Sequence, residues 1–361
     1  MNEFSDRCND YNGCLYGFVV GDALGSFLEF SDRDTLYKIT EMETNYLYDL
    51  PAGSWTRTTS QLLLTADHLN QWKTVQPHHF LLQYHALITR GQYLIKKNIF
   101  EPTSFMRISA LKIGLLLKSR KPLPEILNPL AYHQNDCEPL LRVAPVVICH
   151  YHHPDLCLHQ IEQLTQTTHV STECVDACRY FASLLIGVLM GVEKQQLLSA
   201  TFNLMDVSTY GPLRYNRFSQ SYLQHCSETQ IRKDPSQEAI ICQSAKTQHF
   251  LRSLYPSVLK VQKGSFLHKS RNEILSDDSL IHCLEAALWA FSNGDTFEEG
   301  CINAINLGGN STGIGAIYGQ LAGAYYGYQQ IPNRWISKIQ HMEILQDFLI
   351  PITKIANENL R

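Results

Sequence analysis

Residues Asn306–Gly319 read NLGGNSTGIGAIYG: a glycine pair, a short polar run, and then an apolar stretch punctuated by glycine. Carried on to Gly327, the glycines fall at Gly315, Gly319, Gly323 and Gly327, every fourth residue. A second row with the same spacing, Gly13, Gly17, Gly21 and Gly25, lies near the start of the chain. Interior glycine costs a helix up to ~1 kcal/mol per residue relative to alanine, so two such rows need a compensating contact. Glycines at i, i+4 and i+8 form a ridge without side chains, onto which another backbone can close. The two helices are therefore expected at the centre of a bundle, against each other.

The rest of the chain is helical in pattern, with few period-two stretches. Leu280, Leu284, Ala287, Leu288 and Phe291 make one apolar helix face, with Ser276, Asp277 or Asp278 as N-cap and Asn293-Gly294 as the stop. Further helices are expected at about 59–72, 78–89, 104–117, 172–191 and 339–349. This predicts a single all-α domain over residues 1–361, a compact multi-helix bundle. Between about 205 and 269 the texture turns polar and irregular, which reads as an insertion. Its basic and aromatic cluster, Arg214, Tyr215, Arg217 and Phe218, reads as part of a solvated loop.

Composition narrows the function classes. The 361 residues are 44% hydrophobic, with 30 basic and 34 acidic side chains, a net charge of -4 and a mean hydropathy of -0.17. No Lys/Arg-rich run stands out, so neither nucleic acid nor a membrane surface is an expected partner. The apolar run from Phe181 to Val192 falls short of the ~20 residues a bilayer requires and reads as a buried helix. The polar start MNEFSDRCND is unlike a signal peptide, and the expected location is the cytoplasm.

Eleven cysteines form an odd set without a CxxC pair, so reduced thiols are expected. Cys137, Cys174, Cys178, Cys242 and Cys283 sit among apolar or helical neighbours and read as small hydrophobes. The run from Cys149 to His153 is rich in zinc-type ligands but lacks ligand spacing.

Four separated stretches together resemble the ADP-ribosylglycohydrolase family, the all-α enzymes related to dinitrogenase reductase-activating glycohydrolase. They are Gly17–Glu29 (GFVVGDALGSFLE), Gly53–Thr59 (GSWTRTT), Leu141–Pro145 (LRVAP) with Thr168-His169, and Leu307–Gly313 (LGGNSTG) with Leu321–Gly327 (LAGAYYG) and Ile331-Pro332. The resemblance spans about residues 10 to 335. It implies the family's compact bundle of helices. In active relatives the second motif looks like WTDDT and the fourth like GGDxDT, and those four aspartates hold a pair of magnesium-type cations through oxygen.

This chain departs from that pattern. Arg57 and Thr58 stand at the first two aspartate positions, and Asn310 and Thr312 at the last two. Four formal negative charges are replaced by one positive charge. The neutral oxygens of Thr58, Thr59, Asn310, Ser311 and Thr312 are weak magnesium ligands, so no metal ligand set and no cofactor are expected. Glu29 falls where the family pattern places a glutamate near the ribose, and Asp22 lies earlier in the same motif. Either is a general acid or base if the protein is active. The alternative is that Arg57 pairs with one of them and fills the space of the cations.

The third motif departs as well. The resemblance places small residues ahead of MRxAP, whose backbone amides approach the ligand's phosphates; here stand Asp136, Cys137, Glu138, Pro139 and Leu140. Two acids repel a diphosphate and Pro139 removes a donor. Arg142 and His169 match the family pattern and read as structural. Two function classes follow: a non-catalytic member that binds a protein partner or a small molecule related to ADP-ribose, or a divergent glycosidic-bond hydrolase using Glu29.

Overall fold

The computed structural model describes residues 2–95, 113–114, 135–202 and 254–359. The helix expected at 104–117 falls largely outside these residues. So do Cys242, the Arg214–Phe218 cluster and most of the 205–269 segment.

Thirteen α-helices and no strand occur among the described residues. They are α1 (Asn2–Gly25), α2 (Arg57–Trp72), α3 (Pro77–Arg90), α4 (Val143–His150), α5 (Pro154–Gln166), α6 (Thr172–Leu189) and α7 (Lys194–Leu197). Then follow α8 (Pro256–Gln262), α9 (Leu280–Ser292), α10 (Phe297–Ile305), α11 (Ser311–Tyr326), α12 (Asn333–Ile336) and α13 (Met342–Glu358). None is long and apolar enough to cross a membrane.

The central pair is α1 against α11, antiparallel and in closer contact than any other two helices. A methyl group added at Gly13, Gly17 or Gly21 would overlap the carbonyl oxygen of Gly323, Gly319 or Gly315 respectively. At Gly25 it would lie 2.6 Å from the oxygen of Ser311. The ridge is offset from the sequence rows by one step. Ser311 opposes Gly25, its hydroxyl donating to the Gly25 carbonyl at 2.7 Å. Gly327 leaves the helical ridge altogether: at φ 83° it ends α11 and packs against Asn9.

Residues 13–25 of α1 are buried on every face, as are residues 311–324 of α11. Such helices lie inside a bundle rather than on it. Around them, α9 buries Leu280, Leu284, Ala287, Leu288 and Phe291. Its N-cap is Ser279 rather than Ser276, Asp277 or Asp278, because the Asp277 carboxylate instead accepts from the Ser279 amide at 2.9 Å. The last helix starts later and runs farther than expected. Gln340 turns aside to bond the Gly53 carbonyl, and Leu345, Leu349, Ile352 and Ile355 carry the apolar face of α13 past Pro351.

Cys137, Cys174, Cys178 and Cys283 are buried, and every described cysteine is a free thiol. Cys149 and His150 are also buried, in α4, and the Cys149–His153 run gathers no metal-ligating group among the described residues.

Candidate functional site

The antiparallel glycine register sets the C-terminal end of α1 beside the N-terminal end of α11. The N-terminus of α2 closes the third side. Asp22, Glu29, Arg57–Thr59 and Asn310–Thr312 therefore meet, although up to 290 positions separate them in sequence. Of these, Arg57, Thr58 and Asn310 reach a cavity of about 80 Å³, which Gln61, Asp136, Cys137, Glu138, Leu141 and Asp278 also line; Asp22, Glu29 and Thr312 lie buried behind it.

Asp22 is completely buried and spends its carboxylate on the start of α2. It accepts from the amide of Thr56 at 2.9 Å and its hydroxyl at 2.7 Å, and from the amide of Thr59 at 2.9 Å and its hydroxyl at 2.6 Å. Those amides are orphan donors of a helix N-terminus, so the geometry is that of a long-range cap. Burial pushes the Asp22 carboxyl above its ordinary value despite the four hydrogen bonds.

Glu29 is buried where α1 gives way to the following loop. The Arg57 guanidinium approaches it to 3.9 Å, and the Thr312 hydroxyl donates to it at 3.4 Å. The Thr58 hydroxyl in turn donates to Thr312 at 3.3 Å. Burial pushes the Glu29 carboxyl up to about 7, against the pull of Arg57. Arg57 keeps about a third of its side chain exposed, towards the cleft.

The quoted loop is held from both sides. Gly308 and Gly309 adopt φ 71° and 60°, which glycine tolerates without strain, and the turn lets Gly309 bond the Ser31 carbonyl at 2.8 Å. Asn310 caps α11, accepting from the Gly313 amide at 3.0 Å, while its amide group donates to the Cys137 sulfur at 3.2 Å.

Arg142 lies beneath the cleft, fully buried. It donates to Gln61 at 2.9 Å, Thr168 at 2.7 Å and Glu138 at 2.5 Å, and its guanidinium stacks over Tyr84 at 4.9 Å. His169 is also buried; its Nδ1 meets the Thr168 hydroxyl at 2.8 Å and its Nε2 meets Asp136 Oδ1 at 3.3 Å. From Cys137 to Leu140 the backbone donors are taken. The Cys137 amide bonds the Asp278 carbonyl, the Glu138 amide bonds Asp136, and the Leu140 amide bonds the Cys137 carbonyl.

The convergence of Asp136, Glu138 and His169 was not legible in sequence. Their ligand atoms all lie within 4.8 Å of one another. Asp136 and Glu138 stand out as a pair of acids, yet His169 follows 33 residues later and nothing local joins them.

Among the described residues the chain is an all-helical bundle whose two central helices close on glycine, with a polar cleft lined by the start of α2, the segment from Asp136 to Leu141, Asp278 and Asn310. The chain belongs to the ADP-ribosylglycohydrolase family, whose model matches residues 4–359. It is 27% identical over 349 residues to the ADP-ribosylarginine hydrolase Tri1 of Pseudomonas putida, covering 92% of this chain and 76% of that protein. It is 24% identical over 361 residues to Tri1 of Serratia proteamaculans, covering 98% and 81%. A solved structure described as an ADP-ribosylglycohydrolase-related protein complex superposes with a TM-score of 0.71 at 27% identity, over 98% of this chain and 99% of that one.

Proposed function

We propose that this chain is a non-hydrolysing member of the family, a cytoplasmic pseudoenzyme that binds a protein partner or a ligand altered from ADP-ribose. One observation carries the reading: a guanidinium, that of Arg57, stands 3.9 Å from Glu29 where the resemblance places an aspartate. A divalent ion ~4 Å from that guanidinium would be repelled by ~8 kcal/mol, twice the value for a unit pair near a protein surface. The other donors do not offset this. Asp22 is spent on four hydrogen bonds, Asn310 caps α11, and Thr58 and Thr312 bond along a line ending at Glu29. The paired magnesium ions of the family do not fit these residues, and no chemical step is assigned through them.

Diphosphate recognition is disfavoured by the same logic. Between Cys137 and Leu140 the amides bond within the protein, Pro139 has none, and Asp136 and Glu138 face the cavity. Calorimetric titration with ADP-ribose, with and without excess magnesium, tests the reading, alongside an assay of ADP-ribosylarginine hydrolysis. Absence of heat and of product supports it. Release of ADP-ribose above the uncatalysed rate overturns it.

A divergent hydrolase is the second reading, and the Glu29 carboxyl near 7 favours it. A carboxyl with that affinity for protons suits general acid-base work at neutral pH. On that reading Glu29→Gln abolishes any glycosidic-bond cleavage.

A further inference from the structure

We infer that Asp136, Glu138 and His169 form a mononuclear site for a borderline divalent cation of the zinc class, open to the cleft. The site is separate from the aspartate positions of the family motifs, and the inference does not rest on whether the protein is a hydrolase.

Three features support it. First, three donor atoms converge and the spacing of two of them suits metal ligands. The three donor atoms lie within 4.8 Å of one another. The 3.3 Å between His169 Nε2 and Asp136 Oδ1 is long for a hydrogen bond to a carboxylate. It matches the ~3.4 Å edge expected between neighbouring ligands at tetrahedral angles and ~2.1 Å bonds.

Second, each ligand is oriented from behind. A metal-bound histidine usually has its other ring nitrogen hydrogen-bonded, and His169 Nδ1 meets the Thr168 hydroxyl, itself held by Arg142. Glu138 is fixed by Arg142 at 2.5 Å and by the Tyr84 hydroxyl at 3.2 Å, and Asp136 by the Glu138 amide at 3.0 Å. Arg142 offsets one of the two carboxylate charges and Asp278 adds another acid to the cavity wall, while Arg57, on the same wall, has Glu29 as its own counter-ion.

Third, there is room. Asp136 and Glu138 line the cavity of about 80 Å³. Holding one water takes ≳ 10–15 Å³, so an ion with water in its remaining position can be accommodated. One imidazole with two carboxylates favours zinc or cobalt over magnesium, which prefers an all-oxygen shell.

The test uses the full-length reduced protein, stripped with a chelator and titrated with zinc by calorimetry and with cobalt by visible absorption. The expected result is one zinc equivalent whose affinity falls at least tenfold in Asp136→Asn and in His169→Gln, both near-isosteric. Cobalt should give ligand-field bands without a sulfur-to-cobalt charge-transfer band. Affinity unchanged in Asp136→Asn, or a charge-transfer band showing that thiolates hold the metal, overturns the inference. So does the absence of any bound equivalent. Should His169→Gln fail to fold, Asp136→Asn decides alone, because its side chain is partly exposed. Metal binding and ADP-ribosylarginine hydrolysis are read separately, so either result leaves the other standing.

Discussion

The Arg57 guanidinium lies 3.9 Å from the Glu29 carboxylate, an ion pair that spans the mouth of α2 and the end of α1. Burial outweighs this attraction, so the Glu29 carboxyl stands at about 7, above its ordinary 4.5. A raised carboxyl binds a proton in the folded state that the unfolded state has released. Its contribution to stability is complete below pH 4.5 and is lost as the pH rises through 7. The loss amounts to roughly 3–3.5 kcal/mol for a shift of this size. Urea denaturation between pH 4.5 and 8 should show this decline in the wild type and a flatter profile in Glu29→Gln. Parallel profiles would contradict it.

Restoring the family's carboxylates should restore a cation site. The quadruple variant Arg57→Asp, Thr58→Asp, Asn310→Asp, Thr312→Asp removes the local positive charge and supplies four carboxylates where α2 and α11 begin. Without magnesium it should be less stable than the wild type, because the acids repel one another. With millimolar magnesium its Tm should rise by several degrees through linkage, while the wild type stays unchanged. Differential scanning fluorimetry with a magnesium series reads both arms.

Arg142 is expected to matter for stability rather than for ligand contact. Its side chain is fully buried and bonded to Gln61, Thr168 and Glu138. Arg142→Lys keeps the charge but loses the planar fork, leaving donors and acceptors unpaired in the interior. A cost of about 3 kcal/mol or more is expected by chemical denaturation, since one partner of a buried charged network is lost. A change near zero would mean that the network is dispensable.

The pairing of α1 with α11 was readable because glycine every fourth residue has few explanations other than a close backbone approach. The register was not. It depends on which residue opposes which across some 300 positions, and Ser311 rather than Gly327 turned out to complete the ridge. Helix ends were also partly hidden. The N-cap of α9 moved to Ser279 and α13 ran through Pro351, both outcomes of tertiary contacts that propensity does not record. The motif residues Glu29, Arg57 and Thr312 were recognisable one by one. Their meeting around the Glu29 carboxyl is a property of the bundle.

The glycine register makes the last prediction quantitative. A methyl group at Gly21 would overlap the Gly315 carbonyl, and one at Gly315 would overlap that of Gly21. Neither helix can yield locally, because the obstacle is backbone and both helices are buried on all sides. Gly21→Ala should therefore cost at least about 3 kcal/mol, at the upper end for overpacking. Gly191→Ala is the control: nothing lies within 4 Å, and only its φ of 82° opposes the change, at about 1–2 kcal/mol. The double variant Gly21→Ala, Gly315→Ala distinguishes steric separation from independent defects. Once the first methyl has parted the helices, the second finds space already open, so the combined cost should fall short of the sum. Urea denaturation of Gly21→Ala, Gly315→Ala and the double variant measures this coupling. Strict additivity would mean that the two backbones are not in contact at that point.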